Sequence, residues 1–188
     1  MTTLGLDFRF HAERTPNPHS LKWVLSKEIT PPGITADFQA PVAADTSPLA
    51  ARLFAIPDVI GVFLAPGFVT VTKREDKEWT ALAQPIVDAL KAFAAAGESA
   101  LGPSFSAADR PQESGVVARI KEILENEVRP AVARDGGDVM FAGYHDGVVE
   151  VVLQGSCVGC PSSTATLRFG IEGRLREEIP EVVKVVQV

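Results

Sequence analysis

Residues 97–114, GESALGPSFSAADRPQES, divide the chain into two segments that must each bury a hydrophobic core of their own. This stretch is rich in Gly, Ser, Ala and Pro and has no sustained apolar period, which is typical of a linker. The segments on either side, 1–98 and 113–188, are each long enough for one small domain. The sequence therefore predicts two small α+β domains, each a layer of helices and strands, joined by a flexible linker at 99–112.

The first segment has the pattern of an α+β domain in which no chemically reactive group stands out. Apolar runs flank the turn-rich sequence TPNPHS at 15–20, and Ser47 is placed to cap a helix that begins at Pro48. The predicted elements are strands at 4–10 and 21–29, a helix at 48–56, a hairpin at 59–73 and a helix at 77–97 that ends at Gly97. The Asp, Glu and His residues are scattered over turns and solvent faces, so we expect no site here.

The second segment predicts helix, strand, strand, cysteine loop, helix and strand, with the helices covering a three-stranded sheet. Its apolar residues recur at helical spacing before Pro130, and the sequence DGGD at 135–138 ends that helical region. The predicted elements are a helix at 114–129, strands at 138–144 and 147–154, a helix at 163–179 and a strand at 181–188.

Both cysteines of the chain, Cys157 and Cys160, lie in the sequence QGSCVGCPSS at 154–163, between a predicted strand and a predicted helix. The free N–H groups and the dipole at the start of that helix favour thiolate, the form that binds metal or attacks a disulfide. Gly155 and Gly159 allow backbone N–H groups to approach whatever the sulfur atoms hold. A polar loop rich in Gly and Ser is a poor place to bury a side chain, so we expect a reactive pair outside the core.

Three chemistries remain open for this C-x-x-C pair, which alone is a weak signal. A thiol–disulfide oxidoreductase would use it as a dithiol, although Val158 and Gly159 between the cysteines are unusual and a βαβ pattern is missing. A structural zinc site needs four ligands, and none of the three histidines has a usual zinc spacing. An iron–sulfur cluster usually has four thiolate ligands, and a second copy of the chain across a two-fold axis would supply the missing two.

Composition excludes some functions and suggests a compartment. The net charge of −6 and the pI of about 5.1 argue against a nucleic-acid-binding protein. No stretch approaches the roughly 20 apolar residues that span a bilayer, so we expect no membrane association. The first fifteen residues have no apolar signal core and include Asp7 and Glu13. With only two cysteines, a reducing compartment fits, and we expect a cytoplasmic location.

The chain resembles the Nfu family, the NifU-like iron–sulfur cluster scaffold and carrier proteins. In the second segment the resemblance rests on VRPAVARDGGDVMFAGY (128–144), GVVEVVLQGSCVGCPSSTATLRFGIEGRL (147–175) and PEVVKV (180–185). In the first segment it rests on TPNPHSLKW (15–23), SPLAARLFAI (47–56) and GFVTVTKREDKEW (67–79). Because two distinct domains match in order, the resemblance is specific.

This resemblance implies that Cys157 and Cys160 are cluster ligands. It implies a [4Fe–4S] cluster bridging a homodimer, although four thiolates also hold a [2Fe–2S] cluster. The cluster would come from an upstream donor and pass to apo target proteins, with no enzymatic turnover. Residues 1–98 would be an N-terminal domain for partner or target contact, and residues 113–188 the cluster-binding domain.

Overall fold

The computed structural model describes residues 8–105, 115–159 and 164–188. Within these ranges the chain forms two α+β domains, each with its own β-sheet and its own hydrophobic core. This architecture confirms the α+β class predicted from the two segments. In the described part of the chain, no helix is both long enough and apolar enough to cross a membrane.

The sheet of the N-terminal domain has five antiparallel strands in the order β1-β2-β5-β4-β3. The strands span Phe10–Arg14 (β1), Ser20–Leu25 (β2), Ala36–Phe38 (β3), Val59–Ala65 (β4) and Phe68–Lys73 (β5). The turn between β1 and β2 contains the sequence TPNPHS, and β4 and β5 form the predicted hairpin. Strand β3 was not predicted, because three residues are too few to show an alternating pattern.

Two helices pack on this sheet, α1 at Pro48–Phe54 and α2 at Trp79–Ala96. The Ser47 hydroxyl accepts a hydrogen bond of 3.1 Å from the Ala50 N–H, which confirms the predicted N-cap. Gly97 ends α2 in the left-handed conformation, with a φ of 64°. The core between the sheet and helices is dominated by Trp23, Leu49, Leu53, Val62, Leu64, Val69, Val71, Ile86, Leu90 and Phe93.

The C-terminal domain begins with three consecutive helical segments, α3 at Val116–Ile123, a π-helical segment at Leu124–Val128 and α4 at Arg129–Arg134. The sequence predicts that Pro130 interrupts the helix. In the structure Pro130 lies in the first turn of α4, where a missing N–H costs little, and the helical path continues to Arg134. The π-helical turn lies directly before the turn that contains Pro130, so the regular α-helical hydrogen-bond pattern is already interrupted there.

The second sheet has the strand order β6-β7-β8, with strands at Gly137–His145 (β6), Val148–Gly155 (β7) and Lys184–Gln187 (β8). β6 and β7 form the predicted antiparallel hairpin, whereas β8 is parallel to β7. Helix α5, Thr164–Glu178, connects these parallel strands as a crossover. The hydrophobic core of this domain includes Ile120, Leu124, Val132, Val139, Val149, Val151, Ile171, Leu175, Ile179 and Val185.

The predicted linker is described only in its first part. Ala100 is fully buried in the N-terminal core, and the rings of Phe38 and Phe105 meet with centroids 6.4 Å apart. The boundaries 1–98, 99–112 and 113–188 stay a prediction, because residues 106–114 lie outside the described ranges.

Candidate functional site

The cysteine loop follows β7 and precedes α5, as the sequence predicts. β7 ends at Gly155, residues 156–159 form a turn, and α5 begins at Thr164. Within this turn the Val158 N–H donates to the Gly155 carbonyl at 3.1 Å. Cys160, the second predicted ligand, lies outside the described residues, as do Ser162 and Ser163.

Cys157 is buried, contrary to the expectation that the loop lies outside the core. Its side chain is 5% exposed and belongs to the hydrophobic cluster of the C-terminal domain. The space for the sulfur exists because Gly137, at the start of β6, has no side chain: a Cβ there would lie 2.5 Å from the Cys157 Sγ. Loop composition misled the prediction because what buries Cys157 is the neighbouring strand, not the loop itself.

The two loop glycines have different steric surroundings. Both have positive φ, 62° at Gly155 and 65° at Gly159, which favours glycine. At Gly155 a Cβ would also lie 2.6 Å from the Gly136 carbonyl oxygen and 3.0 Å from Phe63 Cδ1 of the N-terminal domain. At Gly159 a Cβ would meet nothing within 4 Å. Gly155 is therefore required by close packing between the domains as well as by its backbone conformation.

The N-terminal domain contacts the cysteine loop through the turn between β1 and β2. The Asn17 amide Nδ2 donates to the carbonyl oxygens of Ser156 and Val158, each at 3.1 Å. These two carbonyls belong to the residues on either side of Cys157. Asn17 is 2% exposed, and its Oδ1 accepts from the His19 N–H at 3.0 Å, which keeps the amide oriented.

Other polar side chains of the N-terminal sheet reach the main chain beside the loop. Thr70 Oγ1 donates to the Gly136 carbonyl at 2.6 Å, and the Gly155 N–H donates to Asp37 Oδ1 at 3.3 Å. Lys22 Nζ donates to the carbonyls of Ala133 and Arg134, at 2.9 and 3.2 Å. These carbonyls lie in the last turn of α4, where a positive charge is favourable. Burial raises the pKa of Asp37, and Asp138 adds repulsion in the same direction.

A buried ion pair supports the strand on which the loop rests, and sequence reasoning missed it. Arg129 donates to both carboxylate oxygens of Asp138, with Nε–Oδ1 and Nη2–Oδ2 distances of 2.7 Å. Asp138 also accepts from the Val139 N–H at 2.8 Å and from Thr35 Oγ1 at 2.9 Å. The pKa of Arg129 is raised chiefly by its hydrogen bonds to Asp138. The DGGD sequence marks the end of a helix but gives no sign of a partner nine residues earlier.

The described residues contain no group of three or more His, Cys, Asp or Glu side chains arranged to hold a metal ion.

Fold and loop together define a two-domain α+β protein whose C-terminal domain presents a cysteine loop between a β-hairpin and a crossover helix. Family models match both parts: "Scaffold protein Nfu/NifU N terminal" over residues 10–97 and "NifU-like domain" over residues 120–186. The chain is 45% identical over 178 residues to the human protein named "NFU1 iron-sulfur cluster scaffold homolog, mitochondrial". The alignment covers 93% of this chain and 69% of the relative. The protein of the same name from Drosophila sechellia is 40% identical over 177 residues, covering 93% of this chain and 62% of the relative.

The chain therefore belongs to the Nfu family. The two relatives above are named as iron–sulfur cluster scaffold proteins. The chain spans 62% to 69% of the length of these two relatives. Among solved structures, a NifU-like protein from Saccharomyces cerevisiae is similar with a TM-score of 0.44 and 22% identity, over 52% of this chain and 87% of that one. A Staphylococcus aureus protein is similar with a TM-score of 0.40 and 17% identity, over 43% of this chain and 96% of that one.

The expectation of a cytoplasmic location is wrong, because the curated relatives above are named as mitochondrial proteins. The expectation depended on the first fifteen residues and on the cysteine count. Targeting signals determine the compartment, and the composition of folded domains does not encode them.

Proposed function

We propose that this protein is an iron–sulfur cluster scaffold and carrier that holds one [4Fe–4S] cluster between two copies of the chain and transfers it to apo target proteins. The main support for the proposal is that the chain belongs to a family of cluster scaffolds and that both of its cysteines lie in the C-x-x-C of the NifU-like domain. Cys157 and Cys160 of each copy are the proposed ligands.

The ligand count requires the second copy. A [4Fe–4S] or a [2Fe–2S] cluster is usually held by four thiolates, and one chain supplies two. A two-fold interface places the same loop of each subunit opposite the other, so four sulfur atoms converge on one cluster. The family resemblance favours the [4Fe–4S] form.

Main-chain groups around the loop would balance the negative charge of the cluster. Gly155 and Gly159 have no side chains and both have positive φ. The Gly155 N–H donates to Asp37 Oδ1 in this structure, so it would be offered to a cluster once that bond breaks. Helix α5 begins at Thr164, four residues after Cys160 in the sequence, and the positive end of its dipole lies at this first turn. Such N–H donors and dipoles tune sulfur-bound clusters.

Transfer to a target would proceed by ligand exchange. Each iron–sulfur bond to Cys157 or Cys160 breaks as a bond to a target thiolate forms, and the released cysteine takes the proton that the target thiol loses. The exchange changes no oxidation state and needs no acid–base catalyst, so we expect no enzymatic turnover. A cluster shared across a subunit interface is released when the subunits separate, which suits delivery. The donor upstream and the apo targets downstream are the partners that this role requires.

The test is anaerobic reconstitution with iron and sulfide, followed by iron and sulfide analysis and size-exclusion chromatography with light scattering. We expect about four irons and four sulfides per dimer, with the dimer forming on cluster loading. Cys157→Ala and Cys160→Ala should each abolish the cluster. Val158→Ala, a change in the same loop that removes no sulfur, is the matched control and should retain it.

Two results would contradict the proposal. A full cluster in Cys157→Ala would show that the ligand assignment is wrong. A colourless monomer that cycles between dithiol and disulfide would favour a thiol–disulfide oxidoreductase instead. Because Cys157 is buried, its variant should be checked by circular dichroism before the cluster content is interpreted.

A further inference from the structure

One face of the N-terminal domain binds the main chain of the cysteine loop and of the segment beneath it. We call this face, formed by Asn17, Lys22, Asp37 and Thr70, the docking face. Its members make six hydrogen bonds of 2.6 to 3.3 Å to the C-terminal domain, all to backbone atoms within residues 133–136 and 155–158. These six bonds recognise the path of the main chain rather than the side chains of the loop.

Asn17 is the member that binds the main chain on both sides of Cys157. Its amide has two N–H hydrogens, and each goes to a different carbonyl, one before Cys157 and one after it. Because the peptide units of Ser156 and Val158 are planar, holding both carbonyls also sets the directions of the two N–H groups that follow. The main chain on either side of Cys157 therefore cannot rotate without the loss of at least one of these bonds.

In this docked arrangement the sulfur of Cys157 is not available to a second molecule. Its side chain is 5% exposed and its Sγ fills the space left by Gly137. A cysteine that binds a cluster at an interface between two chains must have its sulfur at the surface of its own chain. In the conformation that Asn17 holds, the sulfur of Cys157 is buried and cannot bind such a cluster.

We propose that the docking face is an intramolecular clamp on the cysteine loop and that Asn17 is its positioning residue. Separation of the two domains at this face would free the main chain on either side of Cys157, so that the loop can rotate and carry the sulfur out of the space beside Gly137. The proposal rests on the proposed function only for the role of Cys157 as a ligand. The clamp is suited to reversible opening because its contacts are polar, so water can take their place when the domains part.

The test measures access to Cys157 in the full-length, reduced, metal-free protein. Asn17→Asp keeps the side-chain oxygen that accepts from the His19 N–H, but it places a second oxygen against two carbonyl oxygens. We expect iodoacetamide to alkylate Cys157 at least tenfold faster in this variant, an increase that corresponds to about 1.4 kcal/mol in the opening equilibrium. Fragment-ion mass spectrometry separates the modification of Cys157 from that of Cys160.

Gln84→Glu is the matched control, because it makes the same amide-to-carboxylate change at an exposed position of α2, where the amide of Gln84 donates to Asp88 Oδ1 at 2.9 Å. It should leave the alkylation rate unchanged. Added negative charge near Cys157 repels an anionic sulfur, so charge alone would slow the reaction, and a faster reaction identifies opening. A larger radius of gyration for Asn17→Asp in small-angle X-ray scattering would confirm that the domains separate.

Thr70→Val is a second test variant. The valine side chain has the same shape as threonine but cannot donate the hydrogen bond that Thr70, in the centre of β5, makes to the Gly136 carbonyl. This variant decides the question if Asn17→Asp fails to fold. Should the folded variants be alkylated within twofold of the wild-type rate, the clamp does not control Cys157. Since the assay uses metal-free protein, its outcome is independent of whether the reconstituted protein binds a cluster.

Discussion

Replacing Asp138 by Asn tests whether the buried ion pair stabilises β6, the strand against which Cys157 packs. Asp138 is 3% exposed, and each of its oxygens accepts two hydrogen bonds, one of them from Arg129. An Asn side chain has nearly the same shape but presents an NH₂ group where an oxygen accepted. A donor would then face a donor, and the guanidinium of Arg129, 12% exposed, would lose its buried counter-charge.

Removing one partner of a buried ion pair typically costs about 3 to 5 kcal/mol. Arg129 keeps a second partner, because its Nη1 lies 2.6 Å from Glu125 Oε2. We therefore expect the lower end of this range, a loss of about 3 kcal/mol in the free energy of unfolding for Asp138→Asn. For a chain of this size that corresponds to a fall of about 6 to 12 °C in Tm.

Urea unfolding followed by far-UV circular dichroism measures the loss, with Glu125→Gln as the control. That variant removes a carboxylate from the same guanidinium, but Glu125 is 44% exposed, so we expect a loss below about 1 kcal/mol. A loss for Asp138→Asn no larger than that for Glu125→Gln would refute the reasoning that burial makes this ion pair important.

Three further predictions concern packing, titration and capping. Gly137→Ala should lower the free energy of unfolding by about 1 to 3 kcal/mol in urea titrations, because the new methyl group overlaps the Cys157 Sγ. Gly143→Ala in the same strand comes close only to the ends of the flexible side chains of Glu150 and His145, so it should cost less than about 0.5 kcal/mol. Equal losses for the two variants would contradict this account. Burial raises the pKa of Asp37, so the contribution of this group to stability is present at acid pH and is lost as the pH rises through the raised pKa. Asp37→Asn should therefore flatten the dependence of the unfolding free energy on pH just above the ordinary Asp range. An unchanged slope would contradict this prediction. Ser47→Ala removes both a helix cap and a buried donor, so a thermal melt should show a loss of about 2 kcal/mol, and a loss below about 0.5 kcal/mol would be inconsistent with the cap.

The predictions that succeeded depend on short stretches of chain. Helical and alternating apolar periods located most of the helices and strands, Ser47 was identified as an N-cap, and Gly97 as a helix end. The position of the cysteine loop between a strand and a helix was likewise visible from neighbouring residues. Such signals are local because hydrogen-bonding geometry repeats within a few residues along the chain.

The contacts that surround Cys157 could not be predicted in this way. Asn17 and Ser156 are 139 positions apart in the chain, so nothing in the spacing of either residue reveals the other. Gly137 appeared only as part of a turn-like sequence, whereas in the structure its missing side chain makes room for a sulfur atom. The pairing of Arg129 with Asp138 was hidden because a helix and a strand have different periods, and no fixed spacing links one to the other.

The sequence by itself determined the class of the domains and the location of the cysteine pair, and its resemblance to known proteins indicated the family. The class and the location follow from residue types and spacings that act over a few turns of helix or a few residues of strand. Only the tertiary structure decided that Cys157 is buried and that the N-terminal domain holds the loop around it. The physical reason is that burial and hydrogen bonding between distant segments exist only after both domains have folded and their surfaces have met.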